Sequence, residues 1–354
     1  MKRNTAILIS LIAALLLAGL CACKQEVAPE EPSVNDSIPK WEKSDDGLQN
    51  LPDINASGTE TGVTEALVNG LKNPPEFKKV KNLIVLVCEG LTTELIESST
   101  SQYGELLLNS FPVKGTTSSK FKSDTGTPLR ELIMGAPLLK TSTGIVTWGE
   151  ASCMSMRHMA SRRADDASSE LVCNSYVITD SPFLLVMGMG NFSAVLPGSA
   201  DYLNYVHKAG AWVVNSLPEA VAAYNYVPAG DPDDDDYKDD SASYLYTVFE
   251  SSETLPSFRQ EIAFSLAWLQ KKMDNDGMCM ISSYSPSGAL TAGDVQDFDE
   301  GVALAVKFVL ENPDTALLVC GCPSDGSETQ VCFFGLGKGV SEKDSFYECV
   351  SSLF

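Results

Sequence analysis

The chain has 354 residues, a formal net charge of −22 and ten cysteines. Charge of that sign repels phosphate backbones and argues against nucleic acid as a partner. Ten cysteines in so long a chain do not make a disulfide-built scaffold.

Residues 1–22 read as a lipoprotein signal peptide. Lys2 and Arg3 form a basic start, and Ile7–Leu20 is an apolar core too short for a comfortable membrane span. Leu20 and Ala22 before Cys23 resemble a bacterial lipobox, which makes Cys23 the lipidated first residue of the mature chain. Cys21 fits less well because bulky Leu20 precedes it; an ordinary cleaved signal peptide is the plainer alternative. Loss of the leader removes Lys2 and Arg3 and no acidic residue, leaving −24. Residues 23–63 are rich in Pro, Glu, Asp, Ser and Asn and poor in aromatics, so they cannot bury enough apolar surface to offset their ordering entropy. They read as a disordered tether. Residues 64–354 are then long enough for one large α/β domain. The expected location is the bacterial cell envelope, on the periplasmic or surface side, with the membrane as partner through the lipid anchor.

Within that domain short apolar runs alternate with amphipathic segments, the pattern of a mostly parallel sheet covered on both faces. Strands are predicted at 82–88, 144–148, 183–188, 211–214, 278–282, 316–321 and 331–335. Helices are predicted at 92–109, 128–134, 153–164, 201–209, 217–224, 257–272 and 297–311. Ser257 and Gln260 form a capping box at the start of one of them. The acidic run Asp231–Asp240 lacks the spacing and glycine of an EF-hand loop. It reads as a solvated insertion, with weak calcium binding as its alternative. Cys88, Cys279, Cys320 and Cys332 lie in apolar runs and read as core thiols. Cys320-Gly321-Cys322 does not have zinc-finger spacing.

The strand Asn82–Cys88, followed by Glu89-Gly90-Leu91, and the later Ser123-Asp124-Thr125-Gly126-Thr127-Pro128 with its short helix to Met134-Gly135, resemble the active-site half of the alkaline phosphatase family. Leu184–Phe192 is similar to that family's strand and triple-glycine turn. Phe298 to Thr315 is similar to its helix and Asn-Pro-Asp-Thr turn. The resemblance covers about residues 80–340 and implies an α/β three-layer sandwich with a central, mostly parallel sheet.

The resemblance also implies a chemistry. Enzymes of this family use a Ser nucleophile activated by zinc, a second zinc, a magnesium ion and a bidentate Arg clamp. Here Thr125 stands in the nucleophile's place and Glu89 in that of a metal-binding Asp. Asp124 is a further candidate metal ligand. Thr125 and Thr127 also fit a plain turn and cap. Arg162, with His158 before it, resembles the phosphate clamp, or is simply part of a basic helix face. A short run that carries the magnesium-binding Ser or Thr is expected to be missing just upstream. Ser282, Ser287 and Thr291 occupy three further ligand positions, and Cys322-Pro323 occupies that of an Asp-His pair. The segment with the last zinc His is expected to be deleted. The chain has two His in all, His158 and His207, and neither aligns with a ligand.

These losses imply a catalytically inactive pseudo-phosphatase lipoprotein with a binding or structural role and no cofactor. Two alternatives stay open. One is an active phosphomonoesterase that uses Thr125, Glu89 and Arg162 with Mg²⁺ or Mn²⁺, in place of the family's Zn²⁺ and Mg²⁺, on a phosphorylated small molecule. The other is an acidic, cation-binding envelope lipoprotein. No protein partner is indicated.

Overall fold

The structure is a computed structural model that describes residues 65–135, 143–150, 153–160, 184–190, 211–226, 244–272 and 277–354. The leader with Cys23, the tether, the predicted helix at 201–209, Arg162, His207 and Asp231–Asp240 lie outside the described residues.

The central strand β1 (Asn82–Glu89) is buried at all eight positions. An apolar run of this kind suits a parallel sheet covered on both sides. Around it lie β2 (Val113–Ser118), β3 (Thr143–Glu150), β4 (Leu185–Met189), β5 (Ala211–Val214), β6 (Tyr244–Phe249), β7 (Cys279–Ser285), β8 (Thr315–Cys322) and β9 (Gln330–Leu336). They form one nine-stranded sheet in the order β2-β9-β8-β1-β7-β3-β4-β6-β5. All its pairings are parallel except the two made by β9. The mostly parallel sheet predicted from sequence is therefore what the chain forms.

Eight α-helices are described: α1 (Glu65–Lys72), α2 (Thr93–Tyr103), α3 (Leu129–Gly135), α4 (Met154–Ala160), α5 (Leu217–Asn225), α6 (Phe258–Lys272), α7 (Ala292–Glu311) and α8 (Phe346–Ser351). Alternate residues of β1 face opposite ways. Ile84 and Leu86 join a core with Ile96 of α2, Val221 of α5, Ile262 of α6 and Val302 of α7. Leu83, Val85 and Val87 join a second core with Ile133 of α3, Met156 of α4 and Phe346 of α8. The result is a three-layer sandwich. Among the described residues no helix is long and apolar enough to cross a membrane.

Several boundaries differ from the predicted ones for local reasons. The helix predicted at 92–109 stops at Tyr103, because Gly104 turns to φ 102, and a separate 3-10 turn follows at Leu107–Ser110. The helix predicted from 297 starts at Ala292, where Thr291 and Asp294 form a capping box. The capping box at Ser257 and Gln260 is present in both directions. The sequence pattern missed β2, β6, α1 and α8. Edge strand β2, Val-Lys-Gly-Thr-Thr-Ser, is too polar to announce itself.

Two carboxyl groups are enclosed by the apolar layer that α6 and α7 form. Asp299 accepts the backbone N–H of Leu107 at 2.7 Å and of Leu108 at 3.0 Å, which ties the 3-10 turn to α7. Burial pushes its pKa up to about 7, against the pull of those two bonds. Glu261 is fully buried, and neither of its oxygens has a hydrogen-bond partner among the described residues. Burial pushes it up to about 8. An acid whose pKa is raised by folding holds a proton that the unfolded chain has released. The stability this contributes is fully present below about pH 4, the unfolded value, and is lost as pH rises through about 7 and about 8. Thermal unfolding is therefore expected to show a Tm that falls steadily from pH 5 to pH 8. Glu261→Gln is expected to flatten the upper part of that slope and to raise Tm at pH 8 by roughly 4 °C. A parent Tm that rises over this range would contradict the assignment.

Candidate functional site

Because β1, β7, β3 and β8 run parallel, their carboxyl ends meet at one edge, where ligands of open α/β sheets bind. The register sets Glu89 beside Cys322 and Cys88 beside Tyr284, so that Ser285 comes next to Glu89. The third partner arrives from α4. Gly149, one residue before the end of β3, has φ 106, and a Cβ there would run into the carbonyl oxygen of Ser285. Only glycine lets the chain turn this close to β7.

Glu89 is 9% exposed, and its oxygens are occupied. Oε1 accepts the backbone N–H of Ser155 and, at 2.7 Å, its hydroxyl. Oε2 accepts the Ser285 hydroxyl at 2.8 Å. Ser155 also meets the Ser283 hydroxyl, and Cys153 donates to Ser283 at 3.4 Å. A hydroxyl carries a single proton. Since Ser155 gives its own to Glu89, Ser283 must be the donor to Ser155. Cys153 stands at the far end, with its thiol 3.4 Å from the Ser283 hydroxyl and 3.5 Å from that of Ser155. A bond to a charged acceptor contributes about 1.5–3 kcal/mol net.

The other face of the sheet at this edge is aromatic. Trp148 stacks on Tyr284 with centroids 4.5 Å apart, and Phe258 packs edge-on against Tyr284 at 5.1 Å. The Trp148 indole N–H donates to the Pro256 carbonyl at 2.8 Å, which fastens the approach to α6.

The residues singled out in the sequence fall into separate places. Thr125 lies exposed in a Ser-Thr turn, its hydroxyl 2.8 Å from that of Ser123 and 3.4 Å from that of Thr127. Asp124 is 90% exposed and pairs with Lys120, whose ammonium holds the Asp124 carboxyl below its usual range. None of these bonds reaches Glu89. Arg162 lies outside the described residues; His158 is on α4. Ser282 faces away from the network, on the side of Tyr284. Ser287 is exposed, and Thr291 caps α7.

The sequence reading missed Ser155, Ser283, Ser285 and Cys153. It expected a hydroxyl to be missing upstream of His158, yet Ser155 brings one to Glu89. The signal was weak: Ser283 and Ser285 are the residues next in alternation to Ser282, and a one-residue shift swaps the faces.

The donors present do not fit the two-zinc centre that the sequence resemblance implies. Among the described residues no three His, Cys, Asp or Glu side chains come together. The groups around Glu89 are hydroxyls whose protons point at it. Burial and the charge of Glu89 push the Cys153 thiol up to about 12, and burial likewise raises Cys322. Beside the edge is a cleft of about 390 Å³, lined by Gly90, Thr92, Thr93, Glu94, Cys322 and Pro323 among others; among the described residues no Lys or Arg lines it.

A thiol reacts as thiolate. At pH 8 iodoacetamide is expected to label Cys153 in the folded chain about 10³-fold more slowly than in the urea-unfolded chain, as followed by peptide mass spectrometry. Comparable rates would show that the thiol is not enclosed by this network.

No protein-family model matches the chain, and no curated protein matches it. Solved structures do. Alkaline phosphatase from the Antarctic bacterium TAB5 is similar with a TM-score of 0.52 and 12% identity, covering 78% of this chain and 98% of that one. A variant of that enzyme with Mg bound is similar with a TM-score of 0.53 and 14% identity over the same shares. Alkaline phosphatase from Thermus thermophilus gives a TM-score of 0.49 and 16% identity, covering 73% of this chain and 63% of that one. At these identities the likeness is one of fold: the chain has an alkaline phosphatase-like fold.

Proposed function

We propose that this chain is a lipid-anchored pseudo-phosphatase, which keeps the fold of a phosphate-ester hydrolase and uses its carboxyl edge for binding rather than turnover. The observation that carries this reading is that Ser155 and Ser285 hydrogen-bond both oxygens of Glu89. Phosphate-ester hydrolysis of the kind the fold suggests needs a cation at that edge, an activated hydroxyl in reach of it, and a positive clamp. Here the edge offers hydroxyls and thiols, Thr125 sits on an exposed turn, and among the described residues no basic side chain lines the adjacent cleft.

The test is p-nitrophenyl phosphate hydrolysis by the purified chain and its Thr125→Ala variant, from neutral to alkaline pH, with Zn²⁺, Mg²⁺ or Mn²⁺ added. The expected result is no turnover above background in either. Turnover that is lost in Thr125→Ala would establish the rival reading, an active phosphomonoesterase with Arg162 as its clamp.

The anchor is tested separately. In a bacterial host, labelled palmitate is expected to enter the wild-type chain and not Cys23→Ala, with the wild type recovered in the membrane fraction. Incorporation that survives the substitution would move the anchor to Cys21 or elsewhere.

A further inference from the structure

We infer that the Glu89 network is a metal-independent clasp, which does for the sheet edge what a bound cation would otherwise do. This inference rests on the pseudo-phosphatase reading and adds a physical role for the residues at its site. Three separate segments converge on one carboxylate: the end of β1 supplies Glu89, the end of β7 supplies Ser285, and the start of α4 supplies Ser155 through both its backbone and its side chain. Ser283 and Cys153 extend the chain of donors and join β7 a second time to the approach to α4.

Among the described residues both oxygens of Glu89 already accept hydrogen bonds, two on Oε1 and one on Oε2. A cation on Oε1 would have to displace the Ser155 donors and turn its hydroxyl round, which breaks the bond from Ser283. Among the described residues no second carboxylate, imidazole or thiol joins Glu89 in a set of three. Donors already in place around a carboxylate stabilise it as a cation would, without the need for one.

The experiment is thermal unfolding of the purified full-length chain, as parent, Ser155→Ala, Ser285→Ala and Glu89→Gln, in EDTA and in excess Zn²⁺, Mg²⁺ or Mn²⁺. An ion that binds the folded state raises Tm by mass action. The expected parent Tm changes by less than about 1 °C between EDTA and any ion. Ser285→Ala is expected to lower it by about 2–4 °C, equally in EDTA and in metal. Ser285 is the more informative variant if Ser155→Ala does not fold.

The clasp is overturned if an ion raises Tm by about 3 °C or more and Glu89→Gln abolishes the rise. It is also overturned if both serine variants unfold at the parent's temperature. A rise retained in Glu89→Gln places the ion elsewhere and supports the clasp. Hydrolysis measured on the same samples separates the two claims. Turnover with a metal-insensitive Tm sinks the pseudo-phosphatase reading alone, whereas a Glu89-dependent rise without turnover sinks the clasp alone.

Discussion

A carboxylate with little access to water must be paired with donors or with a cation, since leaving it bare costs several kcal/mol. Glu89 is such a group, and it stands at the end of a strand buried at every position. Parallel pairing brings the ends of β7 and β3 to the same place, so their side chains decide which solution is used. Here Ser285 and Ser283 come from β7, and Ser155 comes from the helix after β3. The glycine at position 149 lets that helix start close enough to reach. The functional reading follows from this one choice of partners. Hydroxyl donors satisfy the carboxylate, but they offer neither a Lewis acid nor a fixed positive charge to a phosphate ester.

The same rule accounts for the other buried acids. Asp299 finds two backbone N–H groups and uses them to hold the 3-10 turn against α7. Glu261 finds no partner among the described residues, and burial raises its pKa towards the neutral form. One fold thus holds three carboxyl groups in three states of satisfaction. Only Glu89 sits at the sheet edge where a ligand would meet it.

Much of the architecture was legible in the sequence because its signals are local and strong. The run Asn82–Cys88 could be little other than a buried strand, and Ser257 with Gln260 marked the start of α6. Strand β2 was not legible: Gly115 and the threonines beside it carry no apolar alternation, and pairing with β9 rather than propensity makes them a strand. At the site, Glu89 stood out because it follows an unmistakable strand at the place where the resemblance puts a metal-binding Asp. Ser155 was not, since its meeting with Glu89 joins residues far apart in the chain. Ser282 was singled out where Ser283 and Ser285 are the residues that face the network. In a strand with serines at positions 282, 283 and 285, composition does not say which face each one takes. Thr125 and Asp124 had the right spacing along the chain, but their hydrogen bonds hold both in their own exposed turn.

The most direct measurement is a crystal structure of the chain grown with Zn²⁺ and Mg²⁺, read at Glu89 by anomalous scattering. No metal peak is expected there, with the hydroxyls of Ser155 and Ser285 still on the two carboxylate oxygens. A peak within about 2.0–2.2 Å of a Glu89 oxygen, with Ser155 turned to present its lone pairs, would contradict it.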